Sequence, residues 1–340
     1  MCAELRRDII SGCWVITDTK EKEEFFESLE PQVRVKDKPC PFCPGNEKET
    51  PNEIYALRTP GTLPNQPGWS VRVFPSKDKV LEVEKGLERH GVGIYDAMNN
   101  VGAHELIIES PEHIKNLSDL SNEQIKKALI VYKSRIIDLK GDKRLRYAIV
   151  FKNQRPSSPF RLGHTHSQLV ALPLTPQSVK DELENAQSYY KEKERCVFCD
   201  VVKEELDTGL RIVEENKSFI SYVPFAPRLP FETWILPKRH NADFTQEDDS
   251  TLFDFAVIMK VTLGKICKLL DDSPLNYMIH SIPYMRPRTG YWKTIHKDYH
   301  WHLEIIPHIV KVEGFSWSSG FYIEPLSSEL MAELLRETKI

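Results

Sequence analysis

The chain has 340 residues, 40% of them hydrophobic and 10% aromatic, enough to bury a sizeable core and to form two domains rather than one. Its formal net charge of -4 argues against a general nucleic-acid binder, which is usually basic. No window approaches the ~18 apolar residues of a membrane span, and the N-terminal MCAELRRDIISG lacks an apolar leader core, so cytoplasmic residence is the default expectation.

The first feature along the chain is a cysteine pair, Cys40-Pro-Phe-Cys43. A second pair, Cys196-Val-Phe-Cys199, stands in the other half, while Cys2, Cys13 and Cys267 are alone. In a large chain expected to be cytosolic, C-x-x-C reads as metal or redox chemistry rather than a disulfide framework. A thioredoxin-like pair sits between a strand and a helix. Here each pair reads as followed by polar, turn-rich sequence (PGNEKETPNE after the first), so a metal-holding knuckle is expected. Residues 62–88 are rich in Pro, Gly and Lys and are expected to be loop. ELIIESPEH follows, an apolar stretch that ends on His113. Residues 121–140, SNEQIKKALIVYKSRIIDLK, carry apolar side chains at helical spacing behind a capping serine. RLRYAIVFKN (144–153) and SQLVALPL (167–174) are short and rich in Val, Ile, Leu and aromatics, as strands are. Where the second begins, GHTHSQLVALP sets His164, His166 and Gln168 at alternate positions, which on a strand aims all three at one side.

A charged connector around KEKER, roughly residues 186–195, leads into the second half, and the order of features repeats. Cys196 and Cys199 come first, then the strand-like ETWILP and His240 in LPKRH. A helix follows at 248–270, then His300-Trp-His302-Leu-Glu304 leading into IIPHIV, then a C-terminal helix at 327–340. Self-similarity at this scale means two copies of one supersecondary unit. Each copy reads as a small antiparallel sheet with a helix across it, giving an α+β fold of two tandem halves, 1–185 and 186–340.

Tetrahedral zinc takes four thiolate and imidazole ligands. Each half offers its C-x-x-C, a lone histidine (His113 or His240) and one histidine of its H-x-H pair. Taken singly, His113 and His240 would read as capping or surface residues; the repeat reverses that reading. If one H-x-H histidine binds metal, its partner two residues on stays free. A neutral imidazole beside a rigid knuckle is a good nucleophile toward phosphorus. Gln168 offers an amide to phosphoryl oxygens, and Asn153 offers another neutral donor. These residues fit a nucleotidyl transfer through a histidine intermediate.

At this point the pattern resembles the galactose-1-phosphate uridylyltransferase family, a branch of the histidine-triad superfamily, along nearly the whole chain. ELRRDIISGCWVIT looks like its N-terminal R-x-D-P-x-T-G-x-W-V-I signature and CPFCPGNEKETP like its first metal knuckle. VRVFPSK resembles its nucleotide loop, and GIYDAMNNVGAHELIIESPEH its G-x-H-E-V-I-I-E-S-P-x-H segment. FKNQRPSSPFRLGHTHSQLVALP is similar to its active-site segment, and HWHLEIIPHIVKVEGFSWSSGFYIEP to its closing segment.

The resemblance implies two histidine-triad-like halves, antiparallel sheets with packed helices. It implies that His166 carries the nucleoside monophosphate, that Gln168 binds the phosphoryl group, and that His164 joins Cys40, Cys43 and His113 as zinc ligands. Cys196, Cys199, His240 and His300 match a second site, so one or two zinc ions are expected. The implied reaction is ping-pong, in carbohydrate and specifically galactose metabolism: a nucleotide sugar gives its nucleotidyl group to His166, and a hexose 1-phosphate or phosphate takes it back. The expected partners are these small molecules and a second copy of the chain, since members are commonly dimers with the active site near the subunit contact; nucleic acid and membrane are not expected. Glu304 replaces the glutamine of the first half, and a carboxylate repels phosphate, so His302 and Glu304 are expected to be structural or to line the pocket.

The departures from the family fall on substrate-reading segments. Pro159-Phe160-Arg161 replaces the usual Gly-Ala-Ser, although the Arg161 guanidinium is able to fork onto phosphate. Ser76-Lys77-Asp78-Lys79 lacks the aromatic and proline usual after the lysine, and Ile9 stands where proline is usual. Tyr322 stands where the uridylyltransferase branch has a sugar-holding glutamate, as in the branch that acts as ADP-glucose phosphorylase. Two alternatives therefore stay open: a phosphate-dependent phosphorylase of ADP-glucose or another nucleoside diphosphate derivative, and a zinc-knuckle binding protein without catalysis.

Overall fold

The computed structural model describes residues 3–29, 39–78, 80–154, 163–286 and 292–340. The first half holds β1 (Glu4–Arg7), β2 (Trp14–Thr17), α1 (Lys22–Glu27), β3 (Tyr55–Arg58), β4 (Trp69–Pro75), β5 (His90–Val92) and β6 (Tyr95–Ala97). It continues with β7 (Ala103–Ile108), α2 (Asn122–Leu139), β8 (Tyr147–Gln154), β9 (His166–Leu172) and α3 (Gln177–Lys193). The second half holds α4 (Val197–Thr208), β10 (Ile212–Glu215), β11 (Phe219–Tyr222), β12 (Thr233–Pro237), α5 (Asp249–Leu269) and β13 (Leu275–His280). It ends with α6 (Ile295–Asp298), β14 (His302–Pro307), α7 (Gly314–Ser319), β15 (Tyr322–Ile323) and α8 (Ser328–Glu337).

The two expected small sheets are one. Among the described residues ten strands run in the order β10-β11-β12-β14-β13-β8-β9-β7-β4-β3, with neighbours antiparallel throughout. Read outward from the β13–β8 contact, the halves match strand for strand, with β8 and β13, β9 and β14, β7 and β12 in equivalent places. Phe151 pairs with Gln168 in one half and Met278 with Glu304 in the other. The fold is thus α+β with antiparallel sheets and packed helices.

Helices α2 and α5 cover one face of this sheet. Ile125, Leu129, Tyr132 and Ile136 of α2 meet Phe255, Met259, Leu263 and Ile266 of α5 in a core that includes Leu169 and Ala171 of β9. Both helices start as the capping residues dictate: Ser121 accepts from the Gln124 amide at 3.2 Å and Asp248 from the Thr251 amide at 2.7 Å. The opposite face carries α3, α4 and the cysteine knuckles. In β9 burial alternates, so Ser167, Leu169 and Ala171 face the helices while His166, Gln168 and Val170 face the other way.

Two further expectations need correction. Residues 62–88 are not all loop: β4 lies within them, with Val71 and Val73 fully buried. Its alternating WSVRVFP was hidden by Pro- and Lys-rich flanks. Arg72 is tolerated there because its guanidinium reaches Glu53 at 3.3 Å and Thr50 at 2.7 Å. And the second cysteine pair does not lead into polar turns: Cys196 is the cap residue of α4, whose Val197, Phe198 and Val202 are buried.

Candidate active site and metal knuckles

The structure brings Cys40, Cys43, His113 and His164 together, and likewise Cys196, Cys199, His240 and His300, with the ligand-type atoms of each group all within 4.8 Å of one another. In the first group the His164 Nδ1 lies 3.5 Å from the Cys40 sulfur and 3.7 Å from that of Cys43, and the His113 Nδ1 lies 3.3 Å from Cys43. In the second the His240 Nδ1 lies 3.3 Å from the Cys199 sulfur. Tetrahedral zinc with its usual bond lengths separates a sulfur from a nitrogen ligand by ~3.6 Å, so the spacing fits. The histidines point the same way. His164, His240 and His300 donate Nε2–H to the carbonyls of Ser110, His296 and Arg239 at 2.8, 2.9 and 3.0 Å. Their Nδ1 lone pairs are turned inward, the orientation a metal-ligating imidazole takes. In the second group the His300 Nδ1 is buried with no hydrogen-bond partner among the described residues, an orphan that a cation would satisfy.

His166 is not in either group. It opens β9, half-buried, and its Nδ1–H donates to the His164 carbonyl at 2.7 Å, which leaves Nε2 with the lone pair. Phe42, inside the first C-x-x-C, sets its ring edge-on against the imidazole at 5.2 Å. Burial first, and the Lys152 ammonium next, hold the His166 pKa down to about 4. The ring is therefore neutral at ordinary pH. Gln168 stands two residues on with its Oε1 2.8 Å from the His104 Nε2. Asn153 lies on β8 on the same side of the sheet as Phe151, which pairs with Gln168.

Behind this strand lies a buried charge pair. The Lys152 Nζ is 2.5 Å from Glu109 and donates to the His166 carbonyl at 2.8 Å and the Thr165 hydroxyl at 2.9 Å. Ser167, Tyr132 and Thr165 donate their hydroxyls to the same carboxylate. Burial pushes the Glu109 carboxyl up, but Lys152 and these donors outweigh it and hold it below the usual range. Composition gave no hint of Lys152 or Glu109; only the β-strand alternation of their flanks put both on the helix-covered face.

The equivalent place in the second half is filled. His302 is fully buried, stacks on Trp234 at 4.8 Å and 13°, and meets Phe198 of the second knuckle at 5.3 Å. Glu182 from α3 and His280 from β13 close around His302 and Glu304, and these four form a third convergent group. Sequence reasoning missed Glu182 and His280. The signal lay in the repeat, because His280 occupies on β13 the place Asn153 has on β8. Two imidazoles and two carboxylates form a donor set suited to a borderline or hard cation. Among the described residues His302 Nε2 and Glu304 Oε1 have no hydrogen-bond partner, and Arg228 reaches Glu304 from one side at 2.6 Å.

Tyr322 stands on β15 of a separate three-stranded sheet, paired with Val15. Arg161, with Pro159 and Phe160, lies outside the described residues, as does Lys79.

Residues 182–327 match the family model for the C-terminal domain of galactose-1-phosphate uridyl transferase, and residues 92–174 the N-terminal domain of a family of unknown function, DUF4931. The chain is 35% identical to an ADP-glucose phosphorylase of Arabidopsis thaliana across 99% of its own length and 93% of that protein's. It is 26% identical to a galactose-1-phosphate uridylyltransferase of Thermotoga maritima across 99% of each. The crystal structure of the ADP-glucose phosphorylase from Arabidopsis thaliana with bound ADP-glucose superposes with a TM-score of 0.82 at 31% identity over all of both chains. With its repeated H-x-H strands and paired knuckles, the chain belongs to the galactose-1-phosphate uridylyltransferase family of nucleotidyl-transferring enzymes.

Proposed function

We propose that His166 is the nucleophile of this chain: its Nε2 attacks the α-phosphorus of a nucleotide sugar, the sugar phosphate leaves, and an acceptor phosphate takes the nucleotidyl group back. The observation that carries this reading is the tautomer of His166. Its Nδ1 proton is engaged by the His164 carbonyl, so the lone pair is on Nε2, outside both four-residue groups. Gln168 and Asn153 supply neutral donors for the phosphoryl oxygens, and Arg161 a cationic one. Zinc at Cys40, Cys43, His113 and His164 would brace the strand end and the Phe42 ring, and zinc at Cys196, Cys199, His240 and His300 would brace the second half. The division into halves at 185/186 follows the repeat, although α3 runs through it.

Two acceptors are chemically open. A hexose 1-phosphate makes the enzyme a uridylyltransferase of galactose metabolism. Inorganic phosphate makes it a phosphorylase, which the 35% identity to an ADP-glucose phosphorylase and the tyrosine at position 322 favour. A homodimer is part of this reading. Trp317 is 79% exposed and Phe315 and Ile323 are about half exposed around Tyr322, an apolar surface a second copy would cover. A cytosolic setting follows from cysteines arranged for metal rather than for disulfides.

Incubation with radiolabelled ADP-glucose or UDP-glucose, without acceptor, tests the core claim. Acid-labile, base-stable label on wild type and none on H166G is expected. Label on H166G, or none on wild type from either donor, rejects it. Chase with phosphate or with hexose 1-phosphate then separates the two acceptors.

A further inference from the structure

Gln168 serves a phosphoryl group only in one of its two amide orientations. A phosphoryl oxygen accepts and does not donate, so the NH2 of Gln168 has to face it, and the Oε1 has to be held elsewhere by a donor. The group at the right place is His104 on β7, its Nε2 2.8 Å from the Gln168 Oε1. We infer that His104 is a positioning residue: its Nε2–H donates to Gln168 and locks the amide with NH2 toward the substrate. This inference rests on the reading of His166 and Gln168 given above.

Two further observations support it. The His104 Nδ1 is buried without a hydrogen-bond partner among the described residues. With the proton on Nε2 only a lone pair is left over there; with the proton on Nδ1 a buried N–H would be orphaned and Gln168 would be turned the wrong way. The second half supplies an internal comparison. Leu106 pairs with Gln168 and Trp234 with Glu304, so His104, two residues before Leu106, corresponds to Glu232. There the residue at position 304 is a carboxylate, and Glu232 holds Arg228 at 2.5 Å, which in turn donates to Glu304 at 2.6 Å. Each half uses the neighbouring strand to supply, directly or through an arginine, a donor to the third residue of its H-x-H-x-[Q/E]. The β7 backbone is itself pinned, since the Ser76 amide donates to the His104 carbonyl at 2.8 Å.

The test is single-turnover labelling of His166 with radiolabelled ADP-glucose and UDP-glucose in H104L, H104Q, Q168A and the double variant H104L/Q168A. Loss of an oriented donor to a phosphoryl oxygen costs on the order of 10²-fold, and loss of its positioning partner less, so H104L should label roughly 10- to 100-fold more slowly with a donor KM within ~3-fold of wild type. Glutamine places an N–H near the imidazole Nε2, so H104Q should recover most of the rate. The double variant should be no slower than Q168A. Should H104L not fold, H104N, polar but one atom short, carries the same expectation. Wild-type rates in H104L, equal losses in H104L and H104Q, or additive losses in the double variant would each overturn the role of His104. Label on H166G would instead remove the underlying reading, so the two failures are distinguishable.

Discussion

His166 and His302 hold the same position in a repeated motif and meet opposite fates. His166 opens β9 half-buried beside Phe42, while His302 is sealed by Trp234 and faced by Glu182 across 3.7 Å. Substituting His302 by Asn should therefore leave labelling of the folded protein near wild type while lowering stability by about 1–3 kcal/mol through an unsatisfied buried site, measured by urea denaturation alongside the label. H166G should do the reverse. The doublet and the glutamine were legible because they are contiguous. What plugs the second copy was not, because Glu182 comes from a helix 120 positions earlier than His302. Lys152 makes the same point more sharply. It reads as an ordinary strand lysine in FKNQ, yet its buried ammonium ties Glu109 to the His166 carbonyl. Removing one member of a buried pair strands the other, so K152M should cost about 3–5 kcal/mol. K152M/E109Q should cost less than K152M alone. A K152M protein that unfolds at the wild-type urea concentration would refute this account of the pair.

At the scale of elements, the surprise is the small sheet that straps the two chain ends together. β1 and β2 pair antiparallel and β15 joins β2 in parallel, so residues near the N-terminus and C-terminal segment share one ladder. The Thr17 hydroxyl donates to the Leu326 carbonyl and the Lys20 amide to that of Pro325. Glu324 lies fully buried inside this strap; among the described residues one carboxyl oxygen has no partner and the other accepts from the Leu326 amide at 3.4 Å. Burial, with Glu232 adding repulsion against the single amide, raises its pKa well above the usual carboxylate value. The sign follows. A carboxyl whose folded pKa exceeds its unfolded one binds its proton more tightly when folded, so its contribution is fully present below the unfolded pKa near 4.5 and is lost as pH rises through the folded value. E324Q, which keeps the shape without the charge, should be more stable than wild type at pH 8, and the difference should shrink toward pH 5. Denaturant melts of both proteins at the two pH values check this; an E324Q advantage that grows on acidification would contradict it. None of the strap was legible beforehand, since β15 has two residues and nothing in YI announces a parallel partner 300 positions away. The same is true of β4, whose apolar alternation is drowned by its flanks, whereas α2, α5 and α8 stand out because length, period and cap agree.

For the molecule as a whole, two knuckles of like composition stand in unlike surroundings. In both, the phenylalanine before the second cysteine lies against the second histidine of H-x-H, Phe42 on His166 at 5.2 Å and Phe198 on His302 at 5.3 Å. The first knuckle thus borders the imidazole read as the nucleophile, and the second borders one buried in the core. The repeat of ligands showed the two copies from sequence. It did not show that β8 and β13 zip the copies into a single ten-stranded sheet, because a strand edge that meets its own counterpart leaves no mark in either copy's pattern. What each knuckle borders, and not the sheet the two share, decides what damage to it costs. C40S should lose one metal equivalent and the label together, because Phe42 and His164 no longer hold the end of β9. C196S should also lose one equivalent and should lower the unfolding midpoint, since Cys196 is buried and its neighbours Val197 and Phe198 are core. Protein that remains folded should still take label at close to the wild-type rate. Metal analysis by mass spectrometry, labelling and urea melts on the same preparations decide it: if C196S abolishes label in folded protein while C40S spares it, the assignment of the two knuckles is reversed.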